Sequence, residues 1–109
     1  MNTNRMIRQG DVLLVPIDRI PAGARSIARE GARLILAEGE ATGHAHAVLD
    51  PGAELLESDL EERFLRVLEE GGVTVSHEEH APVLVPPGDY EVRRQREYKP
   101  QAPPQRVWD

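Results

Sequence analysis

Short runs of alternating apolar and polar residues, separated by prolines and glycines, fill most of this 109-residue chain. Side chains alternate across a strand, and turns concentrate glycine and proline, so the pattern predicts short strands joined by turns. The predicted strands are Asp11–Ile17, Arg33–Ala37, His44–Leu49, Ala53–Leu56, Phe64–Leu68, Val73–His77, Val83–Val85 and Tyr90–Tyr98. Only Ser58–Glu62, where Ser58 or Asp59 can cap a first turn, favours a helix.

These elements predict a mostly β fold, a small antiparallel barrel or sandwich with at most one short helix. Pro16 in the first strand predicts an edge position or a bulge, because proline donates no ladder hydrogen bond. Glu70–Gly72 is predicted to turn the strand Phe64–Leu68 back onto Val73–His77 as a hairpin.

The composition narrows the classes of function. The chain has no cysteine, which removes disulfides, thiolate metal sites and thiol nucleophiles. It has neither the apolar core of a signal peptide nor a run of roughly 20 apolar residues, so we expect a cytoplasmic protein without a membrane partner. A net charge of -6 argues against binding bulk nucleic acid. The length predicts one domain over 1–109, with 99–109 an extended proline-rich tail, and so small a domain favours a homodimer.

The strand Tyr90–Tyr98 opens a segment, Tyr90–Arg106, that carries a local excess of positive charge in this acidic chain. Arginines and tyrosines alternate onto one of its faces, where they can hold a phosphate and stack a base. The predicted partner is therefore a small anionic nucleotide, and the predicted ligand-binding residues are Thr42, Gly43, Tyr90, Arg94, Arg96 and Tyr98. The alternative is a solvated sheet rim with cross-strand ion pairs.

All the histidines of the chain fall in two close pairs, His44 with His46 and His77 with His80. His44 and His46 are two residues apart in a predicted strand, so they share one face. The opposite face, with Ala45 and Ala47, is small and apolar and is expected to be buried.

Three interpretations of the histidines remain open. In the first, they cleave a phosphodiester without a cofactor: His44 and His46 are the base and the acid, and His77 and His80 orient them or share the work. In the second, all four bind a divalent transition metal, with Glu78 or Glu79 completing the shell. In the third, they are structural, and the domain is a non-catalytic module that binds a nucleotide or a protein.

Five motifs carry a resemblance: QGDVL from Gln9, TGHAH from Thr42, HEEH from His77, PGDY from Pro87 and RQREY from Arg94. Together they resemble a family of small proteins found in bacteria, phages and plasmids. The chain is also similar to small dimeric ring nucleases associated with type III CRISPR systems. That resemblance implies a dimer that opens cyclic oligoadenylate, the second messenger of this antiviral response, without a metal and by attack of a ribose 2′-hydroxyl. It implies no role for any single residue.

Overall fold

The structure, a computed structural model, describes residues 4–39 and 43–95. The strands within these ranges are β1 (Ile7–Gln9), β2 (Val12–Ile17), β3 (Arg25–Ser26), β4 (Leu34–Glu38), β5 (Ala45–Val48), β6 (Ala53–Glu57), β7 (Arg63–Val67), β8 (Val73–Ser76), β9 (Val83–Val85) and β10 (Gly88–Arg94). Eight of them overlap the predicted strands. The other two, β1 and β3, span only three and two residues, too few for a period-two pattern to stand out.

Two antiparallel sheets face each other in a sandwich-like arrangement that does not close into a barrel. One sheet has the order β1-β2-β10-β7-β6-β3 and the other β4-β5-β8-β9. The predicted mostly β antiparallel fold is therefore confirmed, in its sandwich form. The described residues contain no α-helix, and so none long and apolar enough to cross a bilayer.

The core lies between the sheets and draws on alternate residues of their strands. Leu55 and Leu65, opposite each other on β6 and β7, meet Val48 and Val75 of the second sheet. Tyr90 of β10 is fully buried among them. Its hydroxyl donates to the carbonyl of Pro86 at 2.7 Å and accepts from Nδ2 of Asn4 at 2.7 Å, so the buried polar atom is paired.

The predicted hairpin between β7 and β8 is wrong. β7 pairs with β6 on one side and with β10 on the other, so neither of its edges is free. β8 pairs instead with β5 and β9 in the second sheet. The segment 68–72 is therefore a crossover between sheets. Gly72 ends it at φ +85°, and a Cβ there would lie 2.6 Å from the carbonyl oxygen of Val85.

Two other local predictions can be compared with the structure. Ser58 does cap a turn, because its Oγ accepts the main-chain N–H of Leu60 and of Glu62. Glu61 adopts φ 66°, in the left-handed region, so this turn does not propagate into a helix. Pro16 lies beyond the register of β1, which covers only 12–14 of β2, so it has the predicted edge environment on that side.

Candidate functional site: a histidine cluster at one end of the sandwich

The two histidine pairs meet. β5 pairs with β8 in a register that places Ala47 opposite Ser76. One residue further along each strand, the same antiparallel register brings His46 opposite His77. The ring centroids of His46 and His77 are 4.3 Å apart, those of His77 and His80 4.7 Å, and those of His44 and His77 5.8 Å. We call these four side chains the histidine cluster.

Both faces of β5 are buried, the predicted alanine face and also the face that carries His46. Ala45 and Ala47 form a small buried group with Ile35. The opposite face carries Val48, a member of the main core, and therefore also His46. His46 thus lies at the end of the space between the sheets, with only 1% of its surface exposed.

Gln9 determines which nitrogen of His46 carries the proton. The Gln9 side-chain nitrogen donates to the carbonyls of Val75 and Ala81, both at 2.9 Å, which fixes the orientation of the amide. Its Oε1 lies 2.8 Å from Nδ1 of His46 and can only accept. Nδ1 of His46 is therefore protonated, and Nε2 carries a free lone pair.

His46 is neutral near neutral pH. Burial is the main cause, and the neighbouring His77 adds to it, so the pKa of His46 falls from 6.5 to about 4. The carboxylate of Asp11, whose Oδ1 lies 3.9 Å from Nε2 of His46, opposes this shift only in part. Arg94 neutralises much of that carboxylate through a 2.9 Å bond from Nη1 to Oδ2.

Arg94 and Asp11 form one wall of the cluster. Burial raises the pKa of Asp11, but the hydrogen bond and the charge of Arg94 outweigh burial and leave this pKa below its usual value. Arg94 also donates through Nη2 to the carbonyl of Glu38 at the end of β4. The guanidinium therefore ties β10 both to the β1–β2 turn and to the second sheet.

His77 has the opposite tautomer to His46. The main-chain N–H of Glu79 donates to Nδ1 of His77 at 2.9 Å, so the neutral ring carries its proton on Nε2. The two rings are tilted by 38°, packed partly face to face. A proton acceptor, Nε2 of His46, and a proton donor, Nε2 of His77, therefore belong to neighbouring rings.

His44 lies at the edge of the cluster, with 26% of its side chain exposed. Its Nδ1 is buried and is the only such side-chain atom of the described residues that lacks a hydrogen-bond partner. Oε2 of Glu79 is 3.7 Å away. Oε1 of Glu78 accepts from the main-chain N–H of Ala45 at 2.9 Å, and this bond is the main reason why the pKa of Glu78 is lowered.

Two glycines allow the rings to pack against main chain. A Cβ on Gly10 would lie 2.6 Å from Nε2 of His80, and one on Gly39 would lie 2.9 Å from Nε2 of His77. Gly10 opens the two-residue β1–β2 turn at φ +61°, a conformation that glycine adopts without strain. The cluster therefore depends on glycine at two separate positions.

A groove of about 580 Å³ adjoins the cluster at Arg94. It lies between β4 and the strands β7 and β10, and its lining includes Leu36, Arg63 and Val92. Three arginines and four glutamates line it, so its charge is mixed. An anion there would have to be selected by particular arginines, because the groove does not present a uniformly positive field.

Among the predicted ligand-binding residues, Arg94 adjoins the cluster and Gly43 directly precedes His44, with φ +84°. The prediction that Tyr90 stacks a base is wrong: its side chain is fully buried because β10 turns that position toward the core. Thr42, Arg96 and Tyr98 lie outside the described residues, as does the tail 99–109.

Sequence reasoning missed the contributions of Gln9 and Asp11 to the cluster. A usable signal was present, because Gln9 is a polar residue two positions from the inward-facing Ile7. The period of two would have turned both side chains into the core if β1 had been predicted.

The fold and the site together define the class of protein. It is a small antiparallel β sandwich with the histidine cluster and its neighbouring carboxylates at one end. The chain belongs to the family described as a domain of unknown function, DUF8820, whose family model matches residues 8–95. That range contains all four histidines of the cluster and the residues described as supporting them, Gln9, Asp11, Glu79 and Arg94. No curated protein and no solved structure matches the chain.

Proposed function

We propose that this domain is a phosphodiesterase that opens cyclic oligoadenylate, or a similar small RNA ligand, by histidine acid–base chemistry and without a metal. The observation that carries the proposal is a pair of imidazoles that solvent can reach, His44 and His77, with ring centroids 5.8 Å apart. An acid and a base must each lie within about 3.2 Å of the oxygen they serve, so such a pair can flank one phosphate. The substrate class comes from the resemblance of the motifs.

We assign His44 as the base and His77 as the acid. Glu79 can accept Nδ1–H of His44, which would leave Nε2 free to take the proton of the ribose 2′-hydroxyl. The 2′-oxygen then attacks phosphorus, and the bond from phosphorus to the 5′-oxygen breaks. His77 protonates that leaving oxygen from its imidazolium form, in which both nitrogens carry a proton and Nδ1 no longer accepts from the N–H of Glu79. The products are a 2′,3′-cyclic phosphate and a free 5′-hydroxyl.

The remaining residues support this pair. His46 is too deeply buried to meet a ribose and instead packs against His77 as a neutral ring. Arg94 is bonded to Asp11 beside the cluster, and the groove next to it offers room for the rest of the nucleotide. A two-fold symmetric dimer would suit a cyclic ligand with the same symmetry.

The test is incubation of the protein with cyclic tetra- and hexa-adenylate, with and without EDTA, followed by chromatography. We expect ring opening in EDTA and a bell-shaped pH dependence between about pH 5 and 9. H44A and H77A should each lower turnover by about 10²-fold or more, whereas H80A should have a smaller effect. Circular dichroism checks that each variant folds.

Three outcomes would contradict the proposal. Turnover that needs an added divalent metal would indicate a catalytic metal centre. Binding without turnover would indicate a non-catalytic module. Full activity in both H44A and H77A would refute the assigned roles.

A further inference from the structure

A second chemistry is available to the outer half of the histidine cluster. One donor atom from each of His44, His77 and Glu78 can be chosen so that all three lie within 4.8 Å of one another. We propose that these three residues bind a divalent transition cation of the zinc class, and that the cation and the acid–base reaction compete for the same two histidines, His44 and His77. The binding site stands on its own, and only the competition rests on the proposed function.

The donors match the proposed cation. Two imidazoles and a carboxylate form a ligand set that zinc and neighbouring metals accept, with an open position for water. Four-coordinate zinc sets its ligand atoms about 3.3 Å apart, so the side chains would have to close by at most about 1.5 Å. The bond from the N–H of Ala45 holds one oxygen of Glu78 and leaves the other for the cation.

His44 provides the independent reason to expect a ligand. Its Nδ1 is buried without a hydrogen-bond partner, and the nearest carboxylate oxygen, on Glu79, is 3.7 Å away. A buried polar atom without a partner is unfavourable, and a cation bound beside it would satisfy it. The neighbouring Glu79 adds negative charge to the same edge of the cluster.

The geometry also leaves His46 out of the site. His46 packs against His77 at 38°, partly face to face, whereas rings that share an ion point their nitrogens toward a common centre. The four-histidine site considered from the sequence is therefore not the arrangement proposed here. Binding through Nε2 of His77 would shift its proton to Nδ1 and break the bond from Glu79, so we expect micromolar rather than tighter affinity.

The experiment is calorimetric titration of the tag-free protein with Zn²⁺, and with Co²⁺ while visible absorption is recorded. We expect one equivalent per chain and d–d bands typical of low-coordinate Co²⁺. E78Q keeps an oxygen that can accept from Ala45 but loses the charge, and it should weaken binding at least tenfold. E70Q, at an exposed turn, is the matched control and should bind like the wild type.

Each result bears on one part of the proposal. No binding at millimolar metal, or equal affinity in E78Q and the wild type, would overturn the metal site. If binding occurs but Zn²⁺ does not inhibit an active enzyme over the same concentration range, the competition is wrong. If the protein has no turnover at all, the proposed function fails while the titration still decides whether the metal site exists.

Discussion

Acidification probes the environment of His46 more directly than any substitution. The pKa of this side chain is 6.5 when unperturbed and about 4 in the folded protein, mainly because it is buried. Between those values the unfolded chain holds a proton that the folded protein lacks. The contribution of His46 to the free energy of unfolding is therefore complete above about pH 6.5 and is lost as the pH falls toward 4.

The size of the effect follows from the same two pKa values. Proton linkage for one such group lowers the free energy of unfolding by about 2 kcal/mol between about pH 7.5 and pH 5, and by about 3 kcal/mol at about pH 4. A domain of this size has a total stability of only about 5–15 kcal/mol, so the loss is a large fraction of the whole.

Urea unfolding followed by circular dichroism at several pH values measures this loss. Other titrating groups also contribute, so the control is H46N, whose side-chain nitrogen can still donate to Gln9 but does not titrate. The difference in stability between the wild type and H46N should shrink by about 2 kcal/mol as the pH falls from about 7.5 to about 5. If both proteins lose stability in parallel, or if His46 titrates near its ordinary pKa by NMR, the reasoning is wrong.

Three further substitutions test the contacts that support the histidine cluster and the hydrogen bonds of the buried Tyr90. Q9L removes the Gln9 hydrogen bonds to Nδ1–H of His46 and to the carbonyls of Val75 and Ala81. Urea unfolding should show that the free energy of unfolding falls by about 2 kcal/mol or more. A fall of less than about 0.5 kcal/mol would contradict the supporting role of Gln9. Y90F removes two partly buried hydrogen bonds, and the same assay should show a loss of about 1–2 kcal/mol. An unchanged unfolding midpoint would contradict the stabilising role of these bonds. G10A places a Cβ against His80 at a positive φ, so it should lower the free energy of unfolding by about 1 kcal/mol or more and shift the His80 NMR signals. The control G71A, which has open space around the new Cβ, should do neither. Equal effects of the two substitutions would contradict the packing of His80 against Gly10.

Much of the fold could be predicted because the alternation of apolar residues is a local signal. Strands such as Leu34–Glu38 and Ala53–Glu57 lie within one residue of their predicted bounds. The pairing of β7 could not be predicted in this way, since a glycine-rich turn such as Glu70–Gly72 suits a hairpin and a crossover equally well. A hairpin can form only if β7 has a free edge, and the distant strand β10 occupies that edge.

The site was predictable only in outline. Two histidine pairs in a chain with no others indicated a cluster, and the structure brings all four together. The tautomers of His46 and His77 were beyond sequence reasoning, because they depend on hydrogen bonds from Gln9 and from the main chain of Glu79. The burial of Tyr90 was misjudged for a related reason: alternation shows which side chains share a face but not which face is covered.

The contact between Arg94 and Asp11 has a consequence for how the protein folds. It joins residues 83 positions apart in the sequence, and the contact between Gln9 and Val75 spans 66. Contacts of such high sequence separation form slowly, because the entropy cost of closing a long loop comes before the contacts can stabilise it. Almost the whole chain must therefore fold before the histidine cluster forms. A fragment that lacks either end of the range 9–94 cannot form the complete cluster. Any activity of the cluster should consequently disappear in the same cooperative step as the fold.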